Sequence, residues 1–420
     1  MTNTGSRRPA VSGSAAALSD SAEYNRYASS KNEQRKKSQA EKKKTGLRLI
    51  FLEFDKPFFL LVMVLLVLGT VMMFSASYAW SLADYGNGYV YVKKQIMIGG
   101  LGLLAMLAIS AVDYHIFMNT KLVYLIFLGS LGMLAYTSFF GIIHGGARRW
   151  LKIGGIEFQP SEIMKFAIVI LFSYIISVNY KKMKDFKYGI VPFMLVLGIV
   201  AALMMAQPHL SGTILICSIG IIMMFVGGSR FKHLMGVAAA GAVALTGFVI
   251  YLVAADKFSY FTGRIQSWLD PFSDMQDTTW QTCQSLIAIG SGGLFGMGFG
   301  ESRQKFLYLS ESKNDFVFAV VCEELGFIGA MLVIALFGLF IFRGFYIASR
   351  SPDKLGMMIA VGLTAQIGLQ ALLNIAVVTN SIPNTGISLP FFSYGGTALA
   401  MQLAQMGVIL NISRQAVTEE

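Results

Sequence analysis

Ser310-Glu311-Ser312-Lys313-Asn314-Asp315-Phe316-Val317-Phe318 marks the point where a long polar stretch gives way to the apolar run 316–342. A run of that length crosses the roughly 30 Å hydrocarbon core of a bilayer as a single helix. The junction therefore fixes the class of fold and raises the first question about function. Asp315 stands at a helix end, between water and lipid, where a carboxylate can be reached and its pKa tuned. An ionisable group in that position is a functional-site candidate. A helix N-cap accounts for it equally well, because Asp accepts hydrogen bonds from first-turn N–H groups and favours the positive end of the helix dipole.

Outward from this run, nine more apolar segments are long enough to span, or nearly so: 57–78, 95–112, 121–140, 160–177, 188–206, 212–228, 234–254, 357–379 and 394–412. Hydrophobic residues make up 55% of the chain and charged residues 14%, well below the roughly 25% charge of soluble domains. The fold expected is an all-α polytopic membrane protein of about ten transmembrane helices, with both termini cytoplasmic and a large extracytoplasmic loop, 255–315, between helices 7 and 8. Basic loops set that orientation: Lys181, Lys182, Lys184 and Lys187; Arg230 and Lys232; Arg343, Arg350 and Lys354 all fall on one side. Lys93 and Lys94 are the discord.

About a third of the 34 Lys and Arg lie within the first 56 residues. Residues 1–55 read as a disordered basic cytoplasmic tail, 56–412 as the membrane domain and 413–420 as a short cytoplasmic tail. The tail has no apolar core followed by a cleavage site, so it is not a signal peptide. Beside a membrane it should lie on anionic lipid, at roughly 1 kcal/mol per basic residue near the surface. Nucleic acid is not an expected partner, since neither aromatic interleaving nor a binding module accompanies the charge. Cys217, Cys283 and Cys322 have no metal-ligand spacing.

The polar information sits in 141–160, 255–315 and 380–393. Gly146-Ala147-Arg148-Arg149-Trp150 places two arginines on the face opposite the basic loops. Guanidinium forks match phosphate oxygens, so phosphate binding is one reading and snorkelling beside Trp150 the other. Phe158-Gln159-Pro160-Ser161-Glu162 leads into a helix on which Glu162 and Lys165 share a face, as a structural ion pair, a substrate contact or both. Gln284-Ser285-Leu286 and the glycine-rich residues after it suggest an amphipathic segment lying in the interface, followed by a tight turn. Leu389-Pro390-Phe391 with Ser393-Tyr394-Gly395-Gly396 describes irregular backbone, which survives at membrane depth only when buried in protein or lining a wet cavity.

Together with Asn314-Asp315-Phe316 and Glu323-Glu324-Leu325-Gly326, these segments resemble the SEDS family (shape, elongation, division and sporulation) over residues 50–412. Ser302-Arg303-Gln304-Lys305 and the long basic tail resemble its division branch, FtsW, and its sporulation branch more than its elongation branch, RodA. The resemblance implies a peptidoglycan glycosyltransferase in the bacterial plasma membrane, at the division septum. It would polymerise lipid II by inverting transfer, with Asp315 as general base and undecaprenyl pyrophosphate released. Substrate contacts are then expected from Arg148, Arg149, Trp150, Glu162, Lys165, Gln284, Ser285, Arg303, Lys305, Ser393 and Tyr394, the cations Arg148, Arg149, Lys305 and Arg303 or Lys313 meeting the pyrophosphate. A class B penicillin-binding protein (a transpeptidase) and other division proteins are the implied partners. No cofactor is certain, and a divalent cation (Mg or Mn) sharing the charge stays open. The chain departs from the family at His209, where many members carry an acid, and at Ser310 and Lys313-Asn314, where many have Pro and His-Thr. A lipid II flippase and a non-catalytic scaffold are the competing classes; neither needs a base at Asp315.

Overall fold

A computed structural model describes residues 54–144, 147–153, 156–239, 241, 259–275 and 279–417. The basic tail and most of the run 234–254 lie outside these residues. Helix α1 (Lys56–Tyr85) shows how local sequence fixes an element: the Asp55 carboxylate accepts from Phe58 N at 2.8 Å, Pro57 occupies the first turn, and Gly86 ends the helix in the left-handed region. It is followed by α2 (Val90–Ser110), α3 (Thr120–Phe140), α4 (Pro160–Asn179), α5 (Phe186–Ala206) and α6 (Leu210–Val226). After residues 242–258, which are not described, come α7 (Ser259–Leu269), α8 (Trp280–Gly292), α9 (Val317–Ser349), α10 (Lys354–Val378) and α11 (Thr397–Val417).

Seven helices among the described residues are long and apolar enough to span: α1 to α5, α9 and α10, α4 being counted there to Lys182. Helix α6 is a shorter apolar helix, and α11 covers the last expected run but continues to Val417. Helix α10 is the most buried span, packed on α4, α6 and α9. Its Gly, Ala and Thr side chains allow the close approach that stabilises helix pairs in lipid.

The expectation of an all-α chain needs one correction. Residues 142–158 form a small antiparallel sheet of β1 (Ile142–His144), β2 (Ala147–Ile153) and β3 (Ile156–Phe158). Leu151 on β2 is buried, so the sheet is seated on the bundle rather than hanging in solvent. Helix α8 also differs from the expected interfacial segment. Its polar residues Thr282, Gln284 and Ser285 are buried, and the helix packs against α9. Ser285 Oγ donates to Val378 O at 2.8 Å, at the end of α10. An amphipathic pattern states that one face differs from the other, and here the polar face is the inward one.

Helix α9 breaks at Gly326 (φ 68°, ψ −169°), and the chain after α8 fills the gap. Met297 N and Gly298 N donate to Glu323 O and Glu324 O, while Phe327 N and Ile328 N donate to Gly293 O and Leu294 O. The two backbones touch, since a methyl group on Gly296 (φ 82°) would lie 2.1 Å from Glu324 O. Gly296→Ala should therefore destabilise the protein by roughly 2 kcal/mol or more. Gly298→Ala, strained in φ but with no contact nearer than Glu301 Cγ at 3.6 Å, should cost less. Melting of the two purified variants in detergent tests the order; equal losses would deny the close approach.

Candidate active site

Asp315 lies two residues before the helical start of α9 at Val317, and the N-cap position between them is Phe316, with no side-chain cap bond. The cap explanation for this carboxylate is therefore wrong, and its side chain is left for other work. Burial pushes its pKa up to about 7, helped by the neighbouring Glu311 carboxylate, while Arg149 and Arg264 oppose the rise. The group remains partly accessible. A carboxyl poised near neutrality, between a like charge and two guanidinium groups, has the electrostatics of a proton acceptor.

The walls around it come from four distant segments. β2 carries a register shift against β1, with Ile142 opposite Trp150 and Ile143 opposite Arg148, so Arg149 is the extra residue of a bulge, and it is the hydrogen-bond partners that separate the two arginines. Arg149 Nη2 donates to Pro208 O at 3.1 Å, in the hairpin between α5 and α6. Arg148 is exposed and its Nη1 donates to Phe139 O at 2.9 Å, closing the C-terminal end of α3. Trp150 is paired with Ile142 on β1, next to the pair of Ile143 with Arg148. The adjacent arginines thus have different partners, and of the two it is Arg149 whose charge acts on Asp315.

Arg264, on α7, donates from Nη1 to Asn384 O at 2.6 Å. Sequence reasoning missed it, since a single Arg in a 60-residue polar stretch carries no pattern. His209 fills the hairpin beside Arg149. Burial, then Arg149 and Lys165, push its pKa down to about 3, which keeps it neutral. A neutral ring there lets Arg149 and Lys165 approach the same region without a third charge.

Glu162 and Lys165 form a 2.8 Å pair on α4, with Lys165 almost fully buried. Lys165 Nζ also donates to Gln370 Oε1 at 3.0 Å, and Gln370 Nε2 donates to Ser388 O at 3.1 Å. The pair is thereby wired to the irregular segment 383–396. Ser393 and Tyr394 hold the Asp315 loop: Ser393 Oγ donates to Asn314 O at 2.6 Å and Tyr394 N to Lys313 O at 2.8 Å. Phe391, at φ 64° and fully buried, shows that this backbone is strained and enclosed by protein. Lys313 is turned away from Asp315, its Nζ donating to the Tyr91 hydroxyl at 2.9 Å.

Two of the expected substrate cations sit differently from each other. Lys305 is buried against Glu324 Oε1 at 2.9 Å, and Arg303 is exposed while its backbone N–H donates to Glu323 Oε1 at 2.9 Å. Gln284 is buried within α8. Among the described residues no three His, Cys, Asp or Glu side chains gather to hold a metal ion.

This geometry can be set beside known proteins. The cell cycle protein family model of FtsW, RodA and SpoVE matches residues 56–418. The chain is 38% identical to stage V sporulation protein E of Bacillus subtilis (strain 168), over 84% of this chain and 95% of that one. It is 36% identical to a probable peptidoglycan glycosyltransferase FtsW of Geobacter sp. (strain M18), over 86% and 96%. A solved chain from "Structural coordination of polymerization and crosslinking by a peptidoglycan synthase complex" superposes with a TM-score of 0.71 at 27% identity, covering 87% of this chain and 99% of that one. On this match across nearly all of the described helices, the chain belongs to the FtsW, RodA and SpoVE family of cell cycle proteins.

Proposed function

We propose that this protein is a peptidoglycan glycosyltransferase that polymerises lipid II into glycan strands at the division septum. The observation that carries the reading is the half-buried Asp315 carboxyl, brought to about 7 beside the Gly386 turn and under the charges of Arg149 and Arg264. The acceptor sugar's 4-hydroxyl attacks the anomeric carbon of the donor, and the bond from that carbon to the pyrophosphate oxygen breaks. The hydroxyl proton passes to Asp315, and undecaprenyl pyrophosphate leaves. Attack opposite the leaving group converts the α link of the donor into a β link. No acid partner is needed, because pyrophosphate departs as an anion and Arg149 and Arg264 offer it positive charge.

Relatives named as peptidoglycan glycosyltransferases, and a structural neighbour drawn from a synthase complex, support this activity and a transpeptidase partner of the class B penicillin-binding type. The likeness to a sporulation protein keeps sporulation-stage synthesis as the second reading; depletion during vegetative growth separates them, because only the septal role predicts filamentation. The direct test is purified protein with lipid II and its transpeptidase, scored for glycan strands on a gel. A flippase or a scaffold would make none.

The different partners of the two arginines supply a paired prediction. Arg149→Ala should lower kcat/KM for lipid II by tenfold or more, because a charge-assisted contact to phosphate is removed from a water-poor site. Arg148→Ala should change kcat/KM by less than about threefold, since it frees only an exposed helix-end carbonyl. Equal effects in steady-state polymerisation would deny that their different partners give the two side chains different roles.

A further inference from the structure

We propose that Asn374 is the positioning residue of the reaction: one buried side-chain amide on α10 holds both the Asp315 segment and the turn against which the Asp315 carboxylate lies. The inference rests on Asp315 being the base. Asn374 is fully buried, and its Nδ2 donates to Asp315 O and to Ile387 O, each at 2.6 Å. Both hydrogens of the amide are thus used, on two chain segments that are remote in sequence.

Neither carbonyl has a helix to hold it. Ala319 N bonds to Phe316 O, so the Asp315 carbonyl stands outside the α9 ladder. Ile387 sits in the irregular segment. On the other side of the amide, Asn374 Oδ1 has no hydrogen-bond partner. A buried acceptor left bare is unfavourable, and an apolar side chain of this size would avoid it. The Asn is therefore suited to the two donations rather than to filling the bundle.

The turn it holds is built around the carboxylate. Gly386 adopts φ 68°, and a methyl group there would lie 3.2 Å from Asp315 Oδ2. Gly386 N donates to Asn384 Oδ1, and Asn384 O receives the Arg264 guanidinium. Asn374 therefore fixes the backbone of the base, the surface beside its oxygen and, through the turn, the place of Arg264. Gln370, one helical turn earlier on the same face, does the same for Ser388 and links it to Lys165. The charged groups acting on Asp315 are Glu311 from its own loop, Arg149 from β2 and Arg264 from α7. Of these, Arg264 is the one tied to the turn, and its charge favours the carboxylate form. Releasing the turn weakens that influence.

The experiment uses the full chain in nanodiscs with its transpeptidase, on fluorescent lipid II, across the pH range around neutrality. Asn374→Leu keeps the bulk and donates nothing. It should lower kcat by roughly 10²-fold, the size of effect that a small misplacement produces. KM for lipid II should move less than about threefold, and the acid limb of kcat should shift upward by roughly one pH unit. Asn374→Ser, with one donor, should show smaller changes of the same sign, and it carries the test where the Leu variant does not fold by melting temperature. Wild-type kcat with an unmoved limb overturns the proposal. So does a loss of activity with the limb in place, which would make Asn374 a packing residue. Asp315→Asn is run in parallel. If it polymerises, the reading of Asp315 fails; if it is inert while Asn374→Leu behaves as wild type, only the positioning role fails.

Discussion

Asp315→Asn is expected to cut lipid II polymerisation by roughly 10²–10⁴-fold and, above neutral pH, to raise the melting temperature. The two effects share one cause. The carboxyl has a pKa of about 7 in the folded protein against an ordinary value of 3.8, chiefly because burial disfavours its charge. Between those values the folded chain holds a proton that the unfolded chain has lost. Stability therefore falls as pH rises through this window and is lowest above 7. Asparagine keeps the shape and never ionises, so the variant escapes that loss; near pH 4 the two proteins should melt alike. Activity of the wild type should rise about tenfold per pH unit below 7 and then level off, since only the carboxylate accepts the proton. Such a trade between stability and catalysis is common where a group is held away from its preferred state. A variant that is inactive but melts lower than wild type above pH 7 would show that the carboxylate is stabilising rather than strained. A variant that still polymerises would remove Asp315 as the base.

What the sequence made legible follows from the range of the forces involved. Apolar runs report burial in lipid residue by residue, so nine of the ten expected spans can be traced to helices in the described residues, and the run 234–254 lies mostly outside them. Asp315 was visible because a charge at a helix end is rare and expensive. The sheet of β1, β2 and β3 was not, because its strands are short, with three residues in each outer one, and a register shift breaks the pairing of β1 with β2. The separate partners of Arg148 and Arg149 were hidden with it, because adjacent residues look alike until the backbone between them is known. Arg264 and Asn374 were missed for a different reason. Each gains its meaning from a partner more than fifty residues away, Asn384 and Asp315 respectively, and no local pattern encodes such a pairing. The only signal for Asn374 was polar residues recurring every four positions, at Gln366, Gln370 and Asn374, within an otherwise apolar span.

Lys305 was a reasonable phosphate cation by sequence, and its fate in the fold leads to the second large effect. The ammonium has three protons to donate. They meet Glu324 Oε1 at 2.9 Å, Ser75 Oγ at 2.9 Å and Gly300 O at 2.6 Å, inside the protein. Nothing is left for a pyrophosphate. The group instead ties α1, the 300–305 loop and the N-terminal part of α9, two residues before its break at Gly326. Lys305→Met should cost about 3–5 kcal/mol, because it strands the Glu324 carboxylate in a buried site with Ser75 as its remaining partner. Adding Glu324→Gln removes the stranded charge and should restore most of the melting temperature, since a neutral pair of similar volume is often no less stable than a buried ion pair. The double variant then decides the role. If Lys305 is purely structural, the recovered protein polymerises lipid II with a KM near that of wild type. If Lys305 meets the pyrophosphate, stability returns but KM stays raised tenfold or more, and the assignment of this cation to the scaffold is wrong.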